Sequence, residues 1–199
     1  MDTDDRLIAA LAEDLDGSFE ALVRAHQDRC FSIALRMLGD PGDAEEATQD
    51  AFVRAYRALG GYGPSRIVEL RLRPWLATIV LNVCRSRLTR RPSVARGTLS
   101  LDVALPSDLE PRTAEARGPV ATVEARGAVR EWAALLMTLS PAYRSAVVLR
   151  HVDGLSYPEL AMVLDRPEGT VKAQVHRGLA QLRAAFEAAQ QREHEEIRA

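Results

Sequence analysis

Hydrophobic positions recur every three or four residues through most of the first ninety, as in the series Phe19, Leu22, Val23, His26, Cys30, Ile33, Ala34 and Met37. That spacing lines one side of a helix. A second helix is predicted after Asp40-Pro41, where an acid can cap and proline suits the first helical position. Its inward stripe is Ala44, Ala47, Ala51, Phe52, Ala55 and Leu59, leaving Glu45, Glu46, Gln49, Asp50, Arg54 and Arg57 outside. From Trp75 to Arg90 a third pattern turns Trp75, Ile79 and Val83 inward with Leu76 and Leu88. Asn82, Arg85, Ser86 and Thr89 project from another side. Residues 5–92 thus read as helices almost throughout.

The period fails over residues 93–127, where Gly97, Pro106, Pro111, Gly118, Pro119 and Gly127 mix with Ser, Thr and charges. Such a stretch cannot bury a continuous face and is expected to be a flexible linker. Helical spacing then resumes. Ser140-Pro141 opens one helix, Asp153-Gly154 marks a turn, and Ser156-Tyr157-Pro158-Glu159 fits a capping box ahead of a short helix, Pro158 to Leu164. After "DRPEG" a longer helix is predicted from Glu168 to Phe186, followed by a polar, frayed tail over 188–199. Val171, Val175, Leu179, Leu182 and Phe186 would seat this helix. Ala173, Arg177 and Ala180 lie opposite, flanked by Lys172, Gln174, His176 and Arg183. Two helices joined by a tight turn suggest a helix-turn-helix. The fold class expected is all-α, with two small helical domains on a flexible tether.

Charge changes this picture. Across 199 residues the formal net charge is only −2, yet no Asp or Glu occurs from Leu70 through Leu101, while Arg71, Arg73, Arg85, Arg87, Arg90, Arg91 and Arg96 do. A helix C-terminus prefers cations, which accounts for the arginines near position 90. It does not account for an acid-free run of this length. Arginines without counter-charges repel one another unless a polyanion such as DNA phosphate sits nearby. Small residues opposite the seat of the last helix would also let it approach a major groove closely, with Lys, Gln and Arg able to donate to bases and phosphates.

Enzymatic chemistry finds little support. No Ser-His-Asp order, Walker loop or glycine-rich dinucleotide fingerprint is visible. Cys30 and Cys84 fall inside apolar helical patterns, and His26, His151, His176 and His194 are scattered, so neither a metal nor another cofactor is expected. The apolar runs are too short to suggest a membrane span, and the acidic start MDTDDR lacks the basic region of a secretory signal. A cytoplasmic, non-enzymatic protein is expected.

Two stretches carry a family resemblance. "LSPAYRSAVVLRHVDGLSYPELAMVLDRPEGTVKAQVHRGLAQLR" resembles region four of the extracytoplasmic-function (ECF) sigma factors of the sigma-70 superfamily. "FEALVRAHQDRCFSIALRMLGDPGDAEEATQDAFVRAYRAL" and "PWLATIVLNVCRSRLTRR" resemble region two of the same family, in the right order. The resemblance implies region two over 1–92, a linker over 93–127 and region four over 128–187. Its partners would be core RNA polymerase, double-stranded and locally melted promoter DNA, and an anti-sigma factor.

By that resemblance the acidic helix docks on polymerase through Asp43, Glu46, Gln49, Asp50 and Arg54. The helix after Trp75 recognises and helps melt the minus-ten element, which implicates Arg73, Trp75, Asn82, Arg85, Ser86, Arg87, Arg90 and Arg91, with Tyr62 and Arg66 holding a flipped base. The minus-thirty-five element is read by Ser156, Tyr157, Thr170, Lys172, Ala173, Gln174, His176, Arg177 and Arg183. Ser86, Thr89 and Gln174 depart from the family pattern, as does the long loop "GYGPSRIVELRLRP". A conventional helix-turn-helix repressor or activator with an amino-terminal dimerisation or sensor domain is the alternative, and the second cationic helix argues against it.

Overall fold

The computed structural model describes residues 3–90 and 132–198, and the chain divides into two compact units, Met1–Pro92 and Ser93–Ala199. The expected linker over 93–127 lies outside the described residues, as does Arg91. Every regular element among the described residues is helical.

The first unit holds α1 (Thr3–Glu13), α2 (Leu15–Leu38), α3 (Pro41–Gly60), α4 (Pro64–Val68) and α5 (Leu72–Arg90). Local chemistry sets the boundaries. Asp14 caps α2 by accepting from the Gly17 N–H at 3.0 Å, and Asp40 caps α3 by accepting from the Asp43 N–H at 2.9 Å. Between them Gly39, at φ 79°, ends α2 in the left-handed conformation and returns its N–H to the Leu35 carbonyl at 2.8 Å.

Helices α2, α3 and α5 pack on one another, and α1 lies against α2 and α4. All six residues of the α3 stripe are buried, as are Leu22, His26, Cys30, Ile33, Ala34 and Met37 of α2. On α5 the seat is rotated from the predicted one. Leu76, Ala77, Val80, Leu81, Val83 and Cys84 are buried, whereas Trp75, Ile79 and Leu88 are half-buried. The reason is that α5 touches both α2 and α3, so its apolar arc spans about 160° at 100° per residue, and no single stripe describes it. The helix also begins at Leu72, earlier than Trp75.

The second unit contains helical residues 132–137 (α6), α7 (Pro141–Val147), a π-helical turn over Val148–Val152, α8 (Tyr157–Leu164) and α9 (Glu168–Arg198). Ser140 caps α7, and the turn after the π segment places Gly154 at φ 75°. The orphan carbonyls at the end of α6 are met by a side chain. Arg144, 4% exposed, donates from Nε to Leu136 O at 2.9 Å and from Nη2 to Met137 O at 3.1 Å and Leu139 O at 2.9 Å. Burial lowers this guanidinium to about 10.

Beyond the end expected at Phe186, α9 continues to Arg198. Residues 187–198 contain no glycine or proline and are rich in Ala, Glu, Gln and Arg, all good helix formers.

Candidate nucleic-acid interface

In the first unit α3 and α5 present two chemically different surfaces. Glu45, Glu46, Gln49, Asp50, Arg54 and Arg57 of α3 are exposed, because the alanine stripe seats the opposite side, and Asp43 in its first turn is half-buried. Val53 and Tyr56 lie on the same face as Glu46 and Gln49, 49% and 41% exposed. The Tyr56 ring meets Phe19 edge-on at 5.0 Å, and its hydroxyl donates to Asp16 at 2.6 Å, which raises its pKa. The sequence reading passed over this apolar pair, although its spacing from Gln49 would have shown it.

Along α5, Asn82, Arg85 and Thr89 are exposed on a narrow strip, with Ser86 beside it half-buried and Arg90 exposed at the helix end. The Ser86 hydroxyl donates to Asn82 O at 2.9 Å. Arg87 is half-buried. Its guanidinium donates to Glu46 at 2.9 Å and Asp50 at 2.7 Å, joining one residue from the DNA set to two from the polymerase set. An open concavity of about 440 Å³ beside this link is lined by Asp43, Asp50, Arg54, Val83, Ser86, Arg87 and Arg90.

The loop before α5 is not irregular. Pro64 starts the short helix α4, and Ile67 anchors it in the core. Arg66 thereby lies over the Tyr62 ring at 3.9 Å, and Tyr62 meets Trp75 edge-on at 6.4 Å. These three predicted residues form one cluster. One face of Tyr62 is already covered by a cation. Arg73 takes a supporting position, its backbone carbonyl accepting from Arg29 at 3.1 Å.

In the second unit α8, the turn at Asp165, Arg166 and Pro167, and α9 form the helix-turn-helix. Asp165 closes α8 at φ 51°, a left-handed conformation that aspartate tolerates better than most residues. Val171 and Val175 are buried, whereas Leu179 and Leu182 are half-buried. Phe186 is exposed and stacks on Trp132 at 5.8 Å. Thr170, Lys172, His176, Arg177 and Arg183 are exposed, and Ala173 and Gln174 half-buried.

Ser156 and Tyr157 are engaged within the fold. The N–H and hydroxyl of Ser156 both donate to Glu159, at 2.8 and 2.6 Å, and Arg150 lies 5.0 Å over the Tyr157 ring. Burial, then Arg150 and His176, hold His151 below the usual imidazole range.

Two residues missing from the sequence reading hold the second unit together. Gly178 sits against α7, where a β-carbon would stand 2.6 Å from Val147 Cγ2. Arg144 holds α6 to α7. No group of three or more His, Cys, Asp or Glu among the described residues could hold a metal ion.

Comparison with known proteins decides between a sensor-type regulator and a polymerase subunit. The Sigma-70 region 2 family matches residues 22–93, and the Sigma-70 region 4 family matches residues 130–182. The chain belongs to the ECF RNA polymerase sigma factors. It is 32% identical over 169 residues to the RNA polymerase sigma-E factor of Streptomyces avermitilis, covering 85% of each chain. It is 35% identical over 166 residues to the ECF sigma factor SigE of Mycolicibacterium smegmatis, covering 83% of this sigma factor and 60% of that relative's length. Among solved structures, CnrH in complex with the cytosolic domain of CnrY is similar at a TM-score of 0.66 and 26% identity, covering 94% of this chain and 99% of CnrH.

Proposed function

We propose that this sigma factor binds core RNA polymerase through the exposed face of α3 and directs it to promoters by two DNA contacts. The α5 strip of Asn82, Arg85, Ser86 and Arg90, with the Tyr62–Arg66–Trp75 cluster at its start, engages the minus-ten element. The exposed side of α9, from Thr170 through Arg177 to Arg183, engages the minus-thirty-five element. One observation carries the reading: a single small bundle exposes an acid-bearing, partly apolar face on α3 and a cationic, acid-free strip on α5. A dimerisation or sensor domain has no use for the second.

Each unit alone would hold DNA weakly, but mounting both on polymerase makes the second contact effectively intramolecular. The protein acts by binding and not by catalysis, and it works in the cytoplasm beside its polymerase. No helix among the described residues is long and apolar enough to cross a membrane. CnrH is held by the cytosolic domain of CnrY in its solved structure, and an anti-sigma factor of that kind would cover the α3 and α5 surfaces here. The test is run-off transcription with purified core polymerase on a genomic promoter library. Promoter-dependent transcripts are expected only when the protein is added. Operator binding without any transcript would favour the repressor reading instead.

A further inference from the structure

Arg87 leaves α5 on a different side from Asn82. At about 100° per residue it stands some 140° around the helix from Asn82, in the row of Leu76, Val80 and Val83, which are all buried. Where that apolar row runs out, α3 supplies Glu46 and Asp50. The Arg87 side chain is 25% exposed against 70% and 52% for the two acids. Hydrogen bonds to Asp50 and then to Glu46 raise its pKa, so it stays charged. Glu46 and Asp50 lie one helical turn apart, where like charges repel. A planar guanidinium can span both with separate N–H groups, and a lysine ammonium cannot reproduce that fork.

We infer that Arg87 is a positioning residue for the partner-facing acids of α3 and not a ligand of DNA phosphate. The inference rests on reading α3 as the polymerase surface. Each acid spends one oxygen on Arg87, Oε2 of Glu46 and Oδ2 of Asp50. The second oxygen of each remains to accept from a basic group on the partner. Because the acids are ordered before the partner arrives, docking does not have to restrain them.

The experiment compares wild type, Arg87→Ala, Arg87→Lys and Arg85→Ala in the full chain, at a temperature where melting curves show each folded. Core polymerase is titrated first, and the salt dependence of promoter binding is then read at saturating polymerase. Arg87→Ala should weaken polymerase binding about three- to tenfold, the cost of re-ordering freed side chains, with Arg87→Lys in between. The salt slope should match wild type for both, while Arg85→Ala lowers it by about 0.9. Should Arg87→Ala not fold, Arg87→Lys carries the comparison. Wild-type or tighter polymerase binding by Arg87→Lys, or a reduced slope, overturns the assignment. If the wild-type chain itself does not bind polymerase, the α3 reading fails, a result distinct from failure at Arg87 alone.

Discussion

A β-carbon on Gly178 would stand 2.6 Å from Cγ2 of Val147, so α9 and α7 approach as closely as they do because one of them lacks a side chain there. The Tyr143 carbonyl and β-carbon, each 3.3 Å away, close the remaining room. Val147 is β-branched and stiff, and backbone cannot retreat.

Replacing Gly178 with Ala should therefore destabilise the second unit although alanine is the better helix former. Overpacking costs about 1–3 kcal/mol, against roughly 1 kcal/mol of gained propensity. Gly169, with nothing within 4 Å of its would-be β-carbon, is the control. Urea titration should show a lower midpoint for Gly178→Ala and none for Gly169→Ala.

Removing the Arg144 side chain leaves Leu136 O with only the Leu139 N–H and takes away the side-chain donor to Met137 O and Leu139 O at the end of α6. Arg144→Met should cost about 2–4 kcal/mol, the scale for several broken bonds from a buried charged donor. Helix content would fall first near α6, and hydrogen exchange of residues 132–140 would report it.

His26 gives the first unit a pH dependence. Burial lowers its pKa, helped by Arg29 and Arg73 and opposed by Asp4, whose carboxylate lies 3.3 Å from Nε2. The folded value is thus below the unfolded 6.5, and the unfolded chain binds more protons between the two. This contribution is fully present above 6.5 and is lost as pH falls through that window. Denaturant unfolding from about pH 7.5 down to pH 5 should show stability declining for wild type, with a flatter profile for His26→Gln. In the second unit His151, also lowered, gives a slope of the same sign.

On the α3 face, Val53→Asp should leave stability within about 0.5 kcal/mol of wild type, since the site is exposed. It should lower polymerase affinity at least several-fold by placing a charge in an apolar contact. A pull-down against core polymerase together with a thermal melt reads both quantities.

How far the sequence carried the structure differs from helix to helix. On α3 the alanine stripe is one-sided, so periodicity placed that stripe inward and Glu45, Glu46, Gln49, Asp50, Arg54 and Arg57 outward, although it left out buried Thr48 and the exposed pair Val53 and Tyr56. On α5 it misplaced Trp75 and Ile79, because a helix packed against two neighbours buries a wide arc and blurs its own period. The capping residues Asp40, Ser140 and Ser156 were legible, as local chemistry is. Arg144 and Gly178 were not, since each is explained only by a neighbour brought close in the fold. The pairing of Arg87 with Glu46 and Asp50 escaped for the same reason: a charge count gives residues a sign but not a direction. The end expected at Phe186 is passed by α9, which runs on to Arg198, because the polar residues that follow are good helix formers.

The sole two cysteines of the chain, Cys30 and Cys84, are both sealed in the first unit, 1% and 0% exposed. Burial drives the Cys84 thiol up to about 12, so almost none of it is in the thiolate form that oxidants attack. Peroxide or disulfide stress would find no accessible thiol on this sigma factor while it stays folded. A thiol-based oxidative signal would have to reach transcription through some other protein's cysteines.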